Sequence, residues 1–151
     1  KVRFVTAEGL YHGFVRFVIG LAKKCILANT CGEVVAALDG KSGSLLGVWG
    51  LAICFSLQLY FDFCGYSDMA IGLGKMFGFH FKENFNNPYV ATSATDFWRR
   101  WHISLGAFFR EYVYIPMGGN RCKEILWVRN ILVVWGLTGI WHGASWNFII
   151  F

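Results

Sequence analysis

Ser42-Gly43-Ser44-Leu45-Leu46-Gly47-Val48-Trp49-Gly50-Leu51-Ala52-Ile53-Cys54-Phe55-Ser56-Leu57-Gln58-Leu59-Tyr60-Phe61 is a run of 20 residues without a charge, bounded by Lys41 and Asp62. At 1.5 Å of rise per helical residue it measures about 30 Å, the thickness of a bilayer's hydrocarbon core. A second uncharged run of 22 residues extends from Asn130 to Phe151, directly after Arg129. Both are expected to be membrane-spanning helices. The second contains His142, an ionisable group in a stretch where such groups are costly.

The rest of the composition agrees. Of 151 residues, 56% are hydrophobic and 19% aromatic, while only 15% are charged, against about 25% in an ordinary soluble domain. A disordered chain is excluded, because it lacks this apolar content. The net charge of +5 raises nucleic-acid binding in a soluble domain. Here, however, the basic residues form short clusters beside apolar stretches: Lys23-Lys24, Arg99-Arg100, Arg121 with Lys123, and Arg129. That placement suits helix ends at phospholipid headgroups, so membrane lipid and not nucleic acid is the expected partner. The five cysteines form no CxxC and have no histidine at zinc-finger spacing, so no metal site is expected and small apolar core positions are. The chain opens on Lys1 and closes inside the apolar run Asn147–Phe151, so it is expected to be truncated at both ends.

Between the two runs the character changes. Leu10 to Leu27 mixes apolar residues with His12, Arg16, Lys23 and Lys24, as in a membrane helix with a polar face or one lying at the interface. Asp62 to Lys75 is apolar but broken by Gly65, Gly72 and Gly74; it either continues the preceding helix or kinks and re-enters. Gly78 to Asp96 reads as a loop. Thr95 or Asp96 is placed to cap a helix from Phe97 to Tyr112, too charged to span and too aromatic for an ordinary surface. Pro116-Met117-Gly118-Gly119-Asn120 reads as a turn before the last span. The expected fold is all-α: a multi-span transmembrane helical bundle with interfacial or re-entrant helices.

Three groups of residues carry chemistry. In Phe97-Trp98-Arg99-Arg100-Trp101-His102, a continuous helix puts Trp98, Trp101 and His102 on one face. Indoles and guanidinium groups around an imidazole disfavour its charged form, leaving a neutral ring able to act as a base; alternatively, Trp and Arg here anchor a helix at headgroup level. In Gly139-Ile140-Trp141-His142-Gly143-Ala144, the histidine either serves a site in the protein interior or bonds to a neighbouring backbone group. On a helix, Gln58, Asp62 and Tyr66 form a polar stripe, and Asp62 and Asp68 need partners such as arginine or a hydroxyl. They orient a histidine or hold helices together. Gly74-Lys75 is not part of a phosphate-binding loop, and no GxSxG elbow occurs to support a serine hydrolase.

Taken in order, Gly20–Lys24, Gln58–Gly74, Glu83–Tyr89, Phe97–Leu105, Gly118–Arg121 and Trp141–Gly143 resemble the membrane-bound O-acyltransferase superfamily, in its bacterial branch of alginate O-acetyltransferases and teichoic-acid D-alanyl transfer proteins. The resemblance covers nearly all the chain from Phe14 onward. It implies that residues 1–151 are part of a single, larger membrane domain of an O-acyltransferase, multi-pass in the bacterial cytoplasmic membrane. It further implies His142 and His102 as the signature histidines, with His142 the catalytic base. Trp98, Arg99, Arg100, Trp101, Asn120 and Asp62 are then the candidates for substrate binding. The implied donor is acetyl-coenzyme A or another acyl thioester, with no tightly bound cofactor. The implied acceptor is a hydroxyl of an exported polysaccharide or cell-wall polymer, reached directly or through an extracytoplasmic transferase partner. Two other readings compete: a non-catalytic scaffold or acyl-relay channel for a separate transferase, and a soluble basic nucleic-acid-binding domain.

Overall fold

Ser44 starts the first long apolar helix. Its side-chain oxygen accepts the N–H of Gly47 at 3.1 Å, an N-cap ahead of a run with no charge to interrupt it. The computed structural model describes residues 4–40, 43–143 and 146–150. Ser42 and Ala144, and with them Phe151, lie outside the described residues. Among the described residues all regular structure is helical.

The chain forms two compact units, Lys1–Asn86 and Asn87–Phe151. In the first, α1 (Ala7–Ala22) passes through a π-helical turn (Lys23–Ala28) directly into α2 (Asn29–Leu38), and α3 (Leu45–Met76) runs back along them. Thr6 caps α1 through a bond from the Gly9 N–H at 3.0 Å. The segment from Asp62 to Lys75 continues α3 without a break, so the re-entrant alternative is not realised. Its glycines serve the neighbouring helix instead. A Cβ at Gly72 meets the Gly13 carbonyl oxygen at 2.6 Å, and one at Gly65 meets the Gly20 carbonyl at 2.7 Å. The relation is reciprocal: a Cβ at Gly13 meets the Gly72 carbonyl, and one at Gly20 the Gly65 carbonyl, each at 2.6 Å. Two glycine pairs at seven-residue spacing thus bring two helix backbones into direct contact. α3 ends where Gly78 turns left-handed at φ 75°, with the Gly78 N–H donating to Lys75 and the Phe79 N–H donating to Gly74, a Schellman cap.

The acids of α3 face α1. Asp68, only 6% exposed, accepts from Arg16 Nε and Nη2 at 3.1 and 2.7 Å and from Lys23 Nζ at 2.6 Å. Arg16 also reaches Glu83, at 2.6 and 2.5 Å, and so ties the segment after α3 to the hairpin. Asp62 pairs with Lys24. The polar side chains of Leu10–Leu27 therefore include a face turned towards α3. Of the cysteines only Cys64 is buried; Cys25 is exposed and the others are intermediate, so a general core role for them is not found.

In the second unit, a 3-10 turn at Pro88–Val90 leads to α4 (Ala94–Arg100), α5 (Ile103–Phe109), a π-helical turn (Arg110–Tyr114), α6 (Glu124–His142) and α7 (Trp146–Ile150). The expected helix from Phe97 to Tyr112 is not continuous. It stops after Arg100, where Trp101 is extended and His102 takes left-handed values, φ 47° and ψ 54°. Its cap is Ser93, whose hydroxyl accepts the Asp96 N–H at 3.1 Å, and not Thr95 or Asp96. The last long helix begins six residues before Asn130, at Glu124, and ends at His142. An acid in the first turn suits the helix dipole, and Arg129 folds back toward Met117, so neither charge stops the helix.

α3 and α6 are the two described helices long and apolar enough to cross a membrane. α3, with 32 residues, is about 48 Å long and exceeds the hydrocarbon core; α6, with 19, is about 28 Å and nearly matches it. Leu45, Leu46, Trp49, Ile53, Phe55 and Leu59 are exposed along the first half of α3, an apolar surface that a water-soluble monomer rarely shows.

Candidate active site

The site is built on the two ends of the broken helix and on the last turn of α6. After Arg100 the helix is interrupted: Trp101 is extended and stacks on Phe97, with ring centroids 5.6 Å apart and planes 15° from parallel. His102 follows in the left-handed region, which a residue with a Cβ enters at a cost of order 1 kcal/mol. That geometry turns its ring onto Trp141, 5.6 Å away. Trp141 in turn meets the ring of His142 edge to face at 4.9 Å. One indole therefore contacts both His102 and His142.

His142 is the final residue of α6, at the surface of this chain, and its ring lies nearly parallel to Phe148 at 6.2 Å. Its Nδ1 is 2.7 Å from the carbonyl oxygen of Thr138, one turn earlier. A carbonyl only accepts, so in this bond Nδ1 carries the proton. In the neutral ring the lone pair then resides on Nε2. Thr138 is itself held: its hydroxyl donates to the Val134 carbonyl at 2.7 Å. His102 is half-buried, and burial first, then the charge of His142, holds its imidazolium form below the ordinary histidine range.

The other candidates separate. The structure does not place Trp98, Trp101 and His102 on one helical face, because the helix ends before Trp101. Trp98 meets Trp135 of α6 edge to face at 5.1 Å. Arg100 Nε donates to Asp96 at 2.9 Å, and this bond draws the Asp96 carboxyl below its usual range. Arg99 is exposed. Asn120 is exposed in the turn before α6, and its neighbour Gly119 is bonded to Asn130, so about 18 Å of that helix, from Asn130 to His142, lies between it and His142. Asp62 belongs to the first unit and is engaged with Lys24. Among the described residues no three His, Cys, Asp or Glu side chains gather as a metal ion needs.

Sequence reading missed Thr138 and Asn130. Thr138 is legible in retrospect as the polar residue four before His142. Asn130 was read only as the start of an apolar run, yet it is 0% exposed. A lone amide at the head of such a run was the available signal.

A family model described as the membrane-bound O-acyltransferase family matches residues 41–151. The chain is 47% identical over 146 residues to a probable alginate O-acetylase of Azotobacter vinelandii, covering 96% of this chain and 29% of that protein. It is 48% identical over 150 residues to a peptidoglycan O-acetyltransferase of Helicobacter pylori, covering 98% and 28%. With a teichoic acid D-alanyltransferase of Bacillus subtilis the identity is 33% over 159 residues, covering 96% and 39%. The chain thus spans less than a third of the first two relatives.

Proposed function

The chain belongs to the membrane-bound O-acyltransferase family, and on that premise we propose that it is part of a single multi-pass domain in the bacterial cytoplasmic membrane. This domain transfers an acetyl or related acyl group from a cytoplasmic thioester, acetyl-coenzyme A, to a hydroxyl of an exported polysaccharide or cell-wall polymer. His142 is the general base. The relatives' names support an acyl transfer to polymers, since they include acetylation of alginate and of peptidoglycan and D-alanylation of teichoic acid.

One observation carries the role of His142: its Nδ1 bond to the Thr138 carbonyl, which directs the basic lone pair to Nε2. In the reaction, Nε2 takes the proton of the acceptor hydroxyl as the alcohol oxygen attacks the thioester carbonyl. The tetrahedral intermediate collapses with cleavage of the carbon–sulfur bond. The thiolate leaves and receives the proton from the imidazolium, so the base is regenerated. The Nδ1–H bond persists throughout and becomes charge-assisted while the ring is protonated. Burial disfavours the imidazolium form of His102, which limits competing positive charge beside the base. Trp98, Arg99, Arg100, Trp101, Asn120 and Asp62 remain candidates for holding donor or acceptor.

The test is acyl transfer by the purified full-length protein given radiolabelled acetyl-coenzyme A and a polysaccharide acceptor. Formation of a base-labile O-ester on the polymer is expected. A folded preparation that neither transfers, hydrolyses the donor nor acylates itself overturns the enzymatic reading in favour of a scaffold for a separate transferase.

A further inference from the structure

The turn Met117–Cys122 is fastened from behind by a side chain with no place in the chemistry above. Asn130 lies in the second turn of α6 and is fully buried, at 0% exposure. Its amide nitrogen donates to the carbonyl oxygens of Met117 and Gly119, both at 3.1 Å, and lies 3.7 Å from Cys122 Sγ. Its amide oxygen accepts from Arg129 Nε at 3.2 Å and Nη2 at 2.9 Å. Both donors and the acceptor of the amide are therefore satisfied, in a place where an unmade bond is expensive.

These bonds add to the turn's own backbone bonds, from the Gly118 N–H to Ile115, the Gly119 N–H to Tyr114 and the Arg121 N–H to Gly118. Gly118 and Gly119 have φ of 102° and 54°, and Gly119 is buried. Asn120 follows at once and is exposed. Gly119 O also accepts from Cys122 Sγ at 3.4 Å, so the carbonyl next to Asn120 is pinned twice. An amide is the side chain this geometry requires. Aspartate has the same shape but turns oxygens towards two carbonyl oxygens, while an aliphatic residue leaves both carbonyls unpaired.

We infer that Asn130 is a positioning residue that presents Asn120 to a part of the substrate remote from the reacting carbonyl. The inference rests on Asn120 being a substrate-binding residue of the proposed acyltransferase. Because α6 separates Asn120 from His142, a slackened turn weakens binding of substrate in ground and transition state alike. The consequence is a change in KM, with turnover preserved.

The test uses the full-length protein in proteoliposomes, with acetyl-coenzyme A and polysaccharide varied in turn. Asn130→Asp is expected to raise KM for one of the two about tenfold with kcat within about threefold, the signature of lost uniform binding. Asn120→Ala is expected to raise the same KM, and the double variant to be no worse than the poorer single one, as residues acting through one contact require. Hydrogen exchange in the peptide around Gly118–Arg121 is expected to quicken in Asn130→Asp and not in Asn120→Ala. If Asn130→Asp does not fold, Arg129→Ala removes the brace on the amide oxygen from an exposed position and is expected to raise the same KM by a smaller factor. Additive effects of Asn120→Ala and Asn130→Asp, a fall in kcat at unchanged KM, or no KM change in Arg129→Ala overturns the inference. A His142→Ala control that retains full activity overturns the acyltransfer reading itself, so the two failures are distinct.

Discussion

His102 combines two unusual properties, a left-handed backbone and a ring that resists protonation. An unfolded histidine titrates at about pH 6.5. The folded value is lower, so on acidification the unfolded chain takes up its proton first. The contribution to stability is complete above about pH 6.5 and is lost as pH falls through the folded value. Thermal unfolding of the full-length protein in detergent is expected to show a Tm that declines below that pH, and the decline is expected to be shallower in His102→Gln. Equal slopes contradict the assignment. Neither property is legible from the sequence. Trp98-Arg99-Arg100-Trp101 contains no Gly or Pro to announce a break, and the ring of the left-handed His102 meets Trp141, a long-range contact that no local pattern encodes.

At the scale of elements, the α1–α3 pair is held by backbone contact and by charge. Gly72→Ala puts a Cβ 2.6 Å from the Gly13 carbonyl oxygen, and forcing the helices apart is expected to cost about 2 kcal/mol or more. Gly136→Ala, where nothing lies within 4 Å of the added carbon, is expected to change stability by less than about 1 kcal/mol. Chemical denaturation of the two variants measures the contrast. The acids differ in the same way. Removing Asp68 leaves Arg16 and Lys23 without their shared buried carboxylate, an expected loss of about 2–4 kcal/mol. The Asp62–Lys24 pair has side chains 48% and 44% exposed and is expected to contribute less than about 1 kcal/mol. Similar losses for Asp68→Ala and Asp62→Ala contradict this ranking. The need of these acids for basic partners was legible, because a charge beside an apolar run requires one. Which lysine or arginine answers which acid was not, since the pairings cross 38 to 52 positions of sequence.

For the whole molecule, the two apolar helices and the exposed face of α3 predict that high salt and alkaline carbonate leave the protein in the membrane and that detergent releases it. Release by salt alone contradicts the membrane reading and revives the soluble basic domain. The long helices were legible because absence of charge over 20 positions is a property of the sequence itself. Their ends were less so: α6 begins at Glu124, with Arg129 in its second turn, because a long basic side chain can bend back to a carbonyl and leave the helix intact. His102 and His142 were legible as candidates from the residues around them, and the family resemblance implied their roles. Their meeting through Trp141 depends on the break after Arg100, which no spacing rule gave.

The central claim is that His142, with its proton fixed on Nδ1 by Thr138, supplies the base for acyl transfer. Its most direct test is the O-acylation rate of the full-length His142→Ala protein, at matched membrane abundance and with an unchanged unfolding temperature. The account predicts a fall of about 10²–10⁴, the usual contribution of a general base. A folded variant that acylates the polymer at the wild-type rate contradicts it.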